Sequence, residues 1–191
     1  MNISLEHAFW YLSRTSGIVA FVLLWLSTVY GLLLTNRLAK AWPGGPAAFD
    51  LHEFTSLLSL VFTGFHVFIL LGDAYMGYSL AQLLLPFNST NYMPLWVGIG
   101  QIGFYLMLLV SITFYLRNRM KPGLWRTIHL LSFAGFALSL GHGIFSGSDS
   151  STWWASAIYW IAGLSTVFLT VYRILVRRAE SPATAKGVPA K

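Results

Sequence analysis

A histidine inside a lipid bilayer is costly, needs partners for its ring nitrogens, and counts by default as a functional candidate. Four of the five histidines in this chain fall at or within long apolar runs: His52 and His66 in one, His129 and His142 in another. Separations of 14 and 13 residues correspond to roughly 20 Å along a helix, too far for one metal ion to bridge but enough for two cofactors at different depths. Neutral imidazole is a good axial ligand for haem iron. One histidine from each of two facing helices fills both axial positions and leaves a centre suited to electron transfer, with no site open to dioxygen. The alternative is four buried histidines satisfied by hydroxyls and carbonyls. Matched depth of the two pairs is what favours the haem reading.

The elements that must position these residues follow from hydropathy. The chain has 191 residues, is 56% hydrophobic and only 9% charged, with a mean hydropathy of +0.65, which requires lipid as part of its solvent. Spans are predicted over residues 16–34, 51–72, 95–116, 124–145 and 153–176, each near the twenty or so residues that cross a bilayer. The expected fold is all-α: one integral membrane bundle of five transmembrane helices over residues 1–176, followed by a disordered basic tail over 177–191. The apolar piece at 80–85 is too short to span and is expected to lie at the interface or cap the bundle. No internal repeat is evident. The N-terminus has no basic stretch leading into a short apolar run and cleavage site, so the first span is expected to stay.

Charge fixes the orientation. Arg37, Lys40, Arg117, Arg119, Lys121, Arg126, Arg173, Arg177, Arg178, Lys186 and Lys191 fall on one side and Arg14 alone on the other, so the positive-inside rule puts the N-terminus outside and the tail in the cytoplasm. The second and fourth spans then both run outward. His52 pairs in depth with His129 near the cytoplasmic face, and His66 with His142 near the outer face.

Supporting residues carry weaker signals. Gly64, Gly135, Gly141 and Gly143 offer clearance for a flat macrocycle, or ordinary small-residue packing between membrane helices. Arg126, one turn before His129, is a candidate partner for a haem propionate at the inner site, and Arg14 for one at the outer site; snorkelling to headgroups is the alternative for Arg126. Trp25 and Trp160 lie within spans, where core packing is the expected role for both. One geometric tension exists. At about 100° per residue, His66 returns to within about 40° of His52, whereas His142 is rotated by about 140° from His129. Either the fourth span is bent or rewound near Gly135, or the two cofactors approach it from different sides.

At these residues the chain resembles the ferric reductase-like transmembrane family, which includes the membrane core of NADPH oxidases and small bacterial b-type cytochromes. The matching features are the two histidine spacings, the opening Tyr11-Leu12-Ser13-Arg14-Thr15-Ser16-Gly17, the segment Trp125-Arg126-Thr127-Ile128-His129, and Gly141-His142-Gly143. The resemblance covers about residues 10–176. It implies two haem b groups relaying electrons across the membrane, with His52, His66, His129 and His142 as iron ligands, in a bacterial cytoplasmic membrane. The chain departs from the oxidase pattern in having no Gly-x-Gly-x-x-Gly turn followed by a ribose-binding acid and no soluble nucleotide domain, so the expected electron partner is a separate flavoprotein, another carrier or a quinol.

Competing readings are an accessory subunit anchoring a larger membrane complex without a redox role, and a sensor or quinone-site protein. Several classes are excluded. The absence of cysteine removes disulfides, iron-sulfur clusters and thiol nucleophiles. The six acidic residues form no pair or triad suited to hydrolysis. Nucleic acid is not an expected partner, because the basic residues flank apolar runs and form no recognition surface.

Overall fold

The structure, a computed structural model, describes residues 5–73, 76–90 and 92–184. Its helices are α1 (Leu5–Thr35), α2 (Gly45–Ile69), α3 (Leu80–Leu84), α4 (Pro94–Leu116), α5 (Pro122–Ser146) and α6 (Trp153–Thr184). All but α3 are long and apolar enough to cross a membrane. Three of them, α2, α4 and α5, carry proline in the first turn, where its missing N–H costs no helical hydrogen bond and its fixed φ suits the helix. The chain enters α2 through Gly44 at φ 101°, a left-handed conformation that glycine adopts without a Cβ clash.

The bundle is built from two close helix pairs. α1 packs along α2, and α4 packs along α5; α6 closes the structure mainly against α1. α2 and α5, the helices that carry the four histidines, scarcely approach each other as backbones. A slot therefore runs between the two pairs. Its middle is filled by a cluster from α1, α5 and α6, made of Phe21, Leu24, Phe136 and Ala162, with Trp25 and Met107 packed against it. Phe21 stacks on Phe136 at 6.0 Å between ring centres and meets Tyr159 edge-on at 5.3 Å. The bundle's outer surface is apolar instead of polar, with Phe54, Val61, Phe68, Leu164 and Phe168 all exposed, as expected of a chain solvated by acyl chains.

Three expectations change. The 80–85 segment does not simply cap the bundle: α3 lies against the middle of α4. Gln101 donates through Nε2 to the carbonyls of Gln82 (2.8 Å) and Leu83 (2.7 Å), and Tyr105 donates to Leu84 O at 2.5 Å. Tyr105 lies about 16 Å along α4 from Pro94 at 1.5 Å per residue. The last carbonyls of so short a helix have no intrahelical donor and at that depth need protein donors, which these two side chains provide. The second change is at the C-terminal end, where α6 continues from Arg177 to Thr184 as helix in place of the expected disordered tail. The Arg, Ala and Glu residues at the start of that stretch favour the extension; residues 185–191 lie outside the described residues. The third concerns Trp160, which is 68% exposed and faces away from the core. Trp25 packs as expected, its indole N–H donating to Ser165 Oγ at 2.9 Å.

Candidate functional site: two imidazole pairs across the slot

The slot is bridged at two levels by histidine. His66 of α2 faces His142 of α5 with ring centres 6.5 Å apart, and His52 faces His129 at 6.1 Å; the ring planes cross at 73° and 76°. These are the pairs that depth alone suggests.

Three of the four rings are held in the same way. His66 donates from Nδ1 to the carbonyl of Ser13 (2.8 Å), His52 to that of Ser27 (2.8 Å), and His142 to that of Trp96 (2.9 Å). A carbonyl can only accept, so each Nδ1 carries the proton and each Nε2 keeps its lone pair. A glycine four residues after each carbonyl lets the ring lie flat across one turn of the neighbouring helix. A Cβ on Gly17 would stand 3.1 Å from His66, on Gly31 3.2 Å from His52, and on Gly100 2.6 Å from His142. A serine hydroxyl adds to each cradle: Ser13 at 3.3 Å, Ser27 at 3.1 Å and Ser146 at 3.1 Å from the respective Nδ1.

His129 is the exception. Its Nδ1 is buried without a hydrogen-bond partner among the described residues, and its ring rests on Trp125, one turn earlier on α5, at 5.3 Å and 28°. The α4 turn at the corresponding height carries Val110 and Phe114, with no glycine to admit an imidazole.

A cavity adjoins each pair. The outer one reaches His66, His142, Arg14, Asp73, Asp149 and Gln101. The inner one reaches His52, His129, Trp125, Arg126 and Arg173, the last from α6. Leu24 and Met107 line both and so separate the two. Arg126 thus borders the inner site, as the sequence suggests, and Arg173 joins it. Arg14 borders the outer site, but its guanidinium is ion-paired with Asp149 and lies over the Trp10 ring at 4.8 Å. Asp149 is an acid that the sequence left without a role.

The glycines divide differently from expectation. Gly64 has open space where a Cβ would be, Gly141 only an ordinary contact with Trp96, and Gly143 faces Tyr159. Gly135 does not break α5, which is one continuous α-helix. It packs against Met107 of α4. Despite the offset of about 140°, both rings face a histidine of α2; His142 is anchored to α4, whereas His129 rests on Trp125 of its own helix. The glycines that matter are Gly17, Gly31 and Gly100. Two of these were legible in part, because Ser13-x-x-x-Gly17 recurs as Ser27-x-x-x-Gly31 after 14 residues, the spacing of His52 and His66. This is a short internal repeat within α1, antiparallel and in step with α2.

Among the described residues no cluster of three or more His, Cys, Asp or Glu side chains is placed to hold a bare metal ion. Each level supplies two imidazoles only. Such a donor set could complete only a centre whose remaining ligands come from another group.

The chain matches a family model described as a domain of unknown function, DUF8596, over residues 8–149, and it belongs to that family. The matched region contains all four paired histidines, the three cradle glycines and Asp149. No curated protein and no solved structure matches the chain.

Proposed function

We propose that this member of the DUF8596 family is a transmembrane electron conduit, with His66 and His142 holding one b-type haem near the outer face and His52 and His129 holding a second near the cytoplasmic face. The observation that carries this reading is the ring separation. Two imidazoles bound on opposite sides of one iron would have ring centres about 6.2 Å apart, taking a metal–nitrogen bond of about 2.0 Å and about 1.1 Å from nitrogen to ring centre. The two pairs stand at 6.5 and 6.1 Å. Edge-to-face rings can stand anywhere from about 4.5 to 7 Å apart, yet both levels keep nearly the same separation, and it is the one that two imidazoles on a shared metal would take.

When bound, each haem supplies a reversible one-electron change at its iron. The protein's part is positional. The carbonyls of Ser13, Ser27 and Trp96 fix the tautomer that presents Nε2 to the metal and orient the ring, as outer partners of ligating histidines do. Leu24, Met107 and the Phe21–Phe136 stack keep water from the path between the two levels. Arg126 and Arg173 border the inner cavity where propionates would be matched by cations. Arg14 is a weaker match at the outer site, since Asp149 already neutralises it.

The basic loops place the N-terminus outside and the C-terminal end of α6 in the cytoplasm, in what we take to be a bacterial cytoplasmic membrane. A separate flavoprotein, another carrier or a quinol would exchange electrons at the two ends. A reduced-minus-oxidised visible spectrum of the purified chain, with the pigment-to-chain ratio, tests the reading. Sharp low-spin b-type bands at a ratio of about two are expected; a folded but colourless preparation sinks it and leaves the accessory-subunit alternative. Orientation is checked independently, because the chain has no cysteine. An impermeant thiol reagent should label Ser148→Cys in intact cells, and Lys121→Cys only after permeabilisation.

A further inference from the structure

We propose that Trp125 is a further binding residue of the inner level, its indole N–H donating to a carboxylate of the haem held between His52 and His129. This inference rests on the haem reading above and adds to it the part of the cofactor that the first turn of α5 meets.

Three observations converge on this residue. An indole N–H donates and cannot accept, and Trp125 Nε1 is buried with no acceptor among the described residues. Buried donors are seldom left so; Trp25 shows the ordinary outcome, with its N–H on Ser165 Oγ at 2.9 Å. Trp125 also lines the inner cavity together with His52 and His129, so the acceptor that the protein does not supply can come from an occupant of that cavity. Its place along the helix says which part of the occupant. Trp125 stands in the first turn of α5, four residues or about 6 Å nearer the end of the span than His129. Carboxylates are costly in hydrocarbon, so a haem gripped by His129 turns its propionates toward that nearer end, and an ionised carboxylate is a stronger acceptor than a neutral oxygen.

The same contact bears on the iron ligand. His129 lacks the carbonyl anchor of the other three rings and lies instead against the Trp125 face, at 5.3 Å and 28°. An indole tied to a propionate holds that face still. Trp125 thereby couples the grip on the edge of the cofactor to the grip on its metal.

The test compares two pigments in the purified full chain: haem b, and its dimethyl ester, which keeps the iron and the ring but carries no ionised carboxylate. Release into excess haem-free myoglobin is followed by absorbance. Trp125→Phe keeps an aromatic face for His129 and removes the N–H. It should speed the release of one of the two pigments by about tenfold with haem b, the scale of a hydrogen bond to a charged group, and far less with the ester. The pigment affected should be the one that His66→Ala leaves in place. Should the phenylalanine variant fold poorly, benzothienylalanine at position 125 keeps the shape of the indole with sulfur in place of the N–H, and the same pattern is expected. Release unchanged by either replacement, equal acceleration with haem b and with the ester, or an effect confined to the pigment that His66→Ala removes would each overturn the inference while leaving a dihaem protein intact. A wild type that takes up no haem would instead remove the reading on which it rests.

Discussion

The outer and inner levels share a ligand type and nearly the same ring separation, yet they are built differently. At the outer level both imidazoles are locked: each has a carbonyl partner, a hydroxyl nearby, and a glycine that clears its ring. At the inner level His52 is locked in the same manner, whereas His129 depends on a stack with Trp125. The difference shows that the way a histidine ring is held is set by the helix beside it. α1 carries the same Ser-x-x-x-Gly device at both heights and serves both histidines of α2. α4 carries a matching glycine only at Gly100 and serves only His142.

Breaking one level outright gives the largest effect. His66→Ala or His142→Ala should halve the pigment-to-chain ratio and spare the inner level, and loss of both pigments or of neither would contradict two independent sites. Next comes crowding a cradle. Gly100→Ala places a methyl 2.6 Å from the His142 ring, which must then shift; overpacking of this kind costs about 1–3 kcal/mol, and outer pigment should be lost on dilution or mild heating before inner pigment. Gly31→Ala, at 3.2 Å from His52, should act in the same direction but more weakly, and on the inner level. Gly64→Ala meets nothing and serves as the control. Equal loss from all three would show that the cradles do not position the rings.

Removing a hydroxyl sharpens the comparison further. Ser13→Ala leaves the carbonyl bond to His66 in place, so a change of about 1 kcal/mol or less is expected in pigment retention. Ser27→Ala should cost more than Ser13→Ala, because Ser27 Oγ stands closer to its histidine, 3.1 against 3.3 Å, and also meets Ser56 Oγ at 2.5 Å. The smallest effect is expected for Arg14→Ala. The Arg14–Asp149 pair is partly exposed, with the Arg14 side chain at 29%, and such pairs contribute about 0–1 kcal/mol. A large loss of thermal stability there would mean that the ion pair holds the outer loop over the cavity.

Much of this was legible in the sequence. Five apolar runs, the asymmetry of Lys and Arg, and two pairs of histidines are patterns along the chain. Transfer into lipid and the rise of a helix then fix approximate depth with no knowledge of neighbours. Arg126 was legible for the same reason, since it stands one turn from His129 on the same helix. Gly17 and Gly31 were visible as letters, but their importance depends on α1 lying antiparallel against α2 in one register. Gly64 and Gly143 illustrate the converse: closeness in sequence to a histidine did not place them against its ring.

The sequence by itself determined which stretches are apolar enough to span a bilayer and which histidines fall at matching heights along them, because hydropathy and axial rise add up residue by residue. Only the tertiary structure decided which rings are cradled, that α3 sits beside the middle of α4, that Asp149 takes the charge of Arg14, and that α5 stays unbroken. Those outcomes depend on how each helix is rotated about its axis and which neighbour it meets. Inside a membrane, where every residue of a span is apolar enough to face lipid, the pattern of polarity along a helix says little about that rotation.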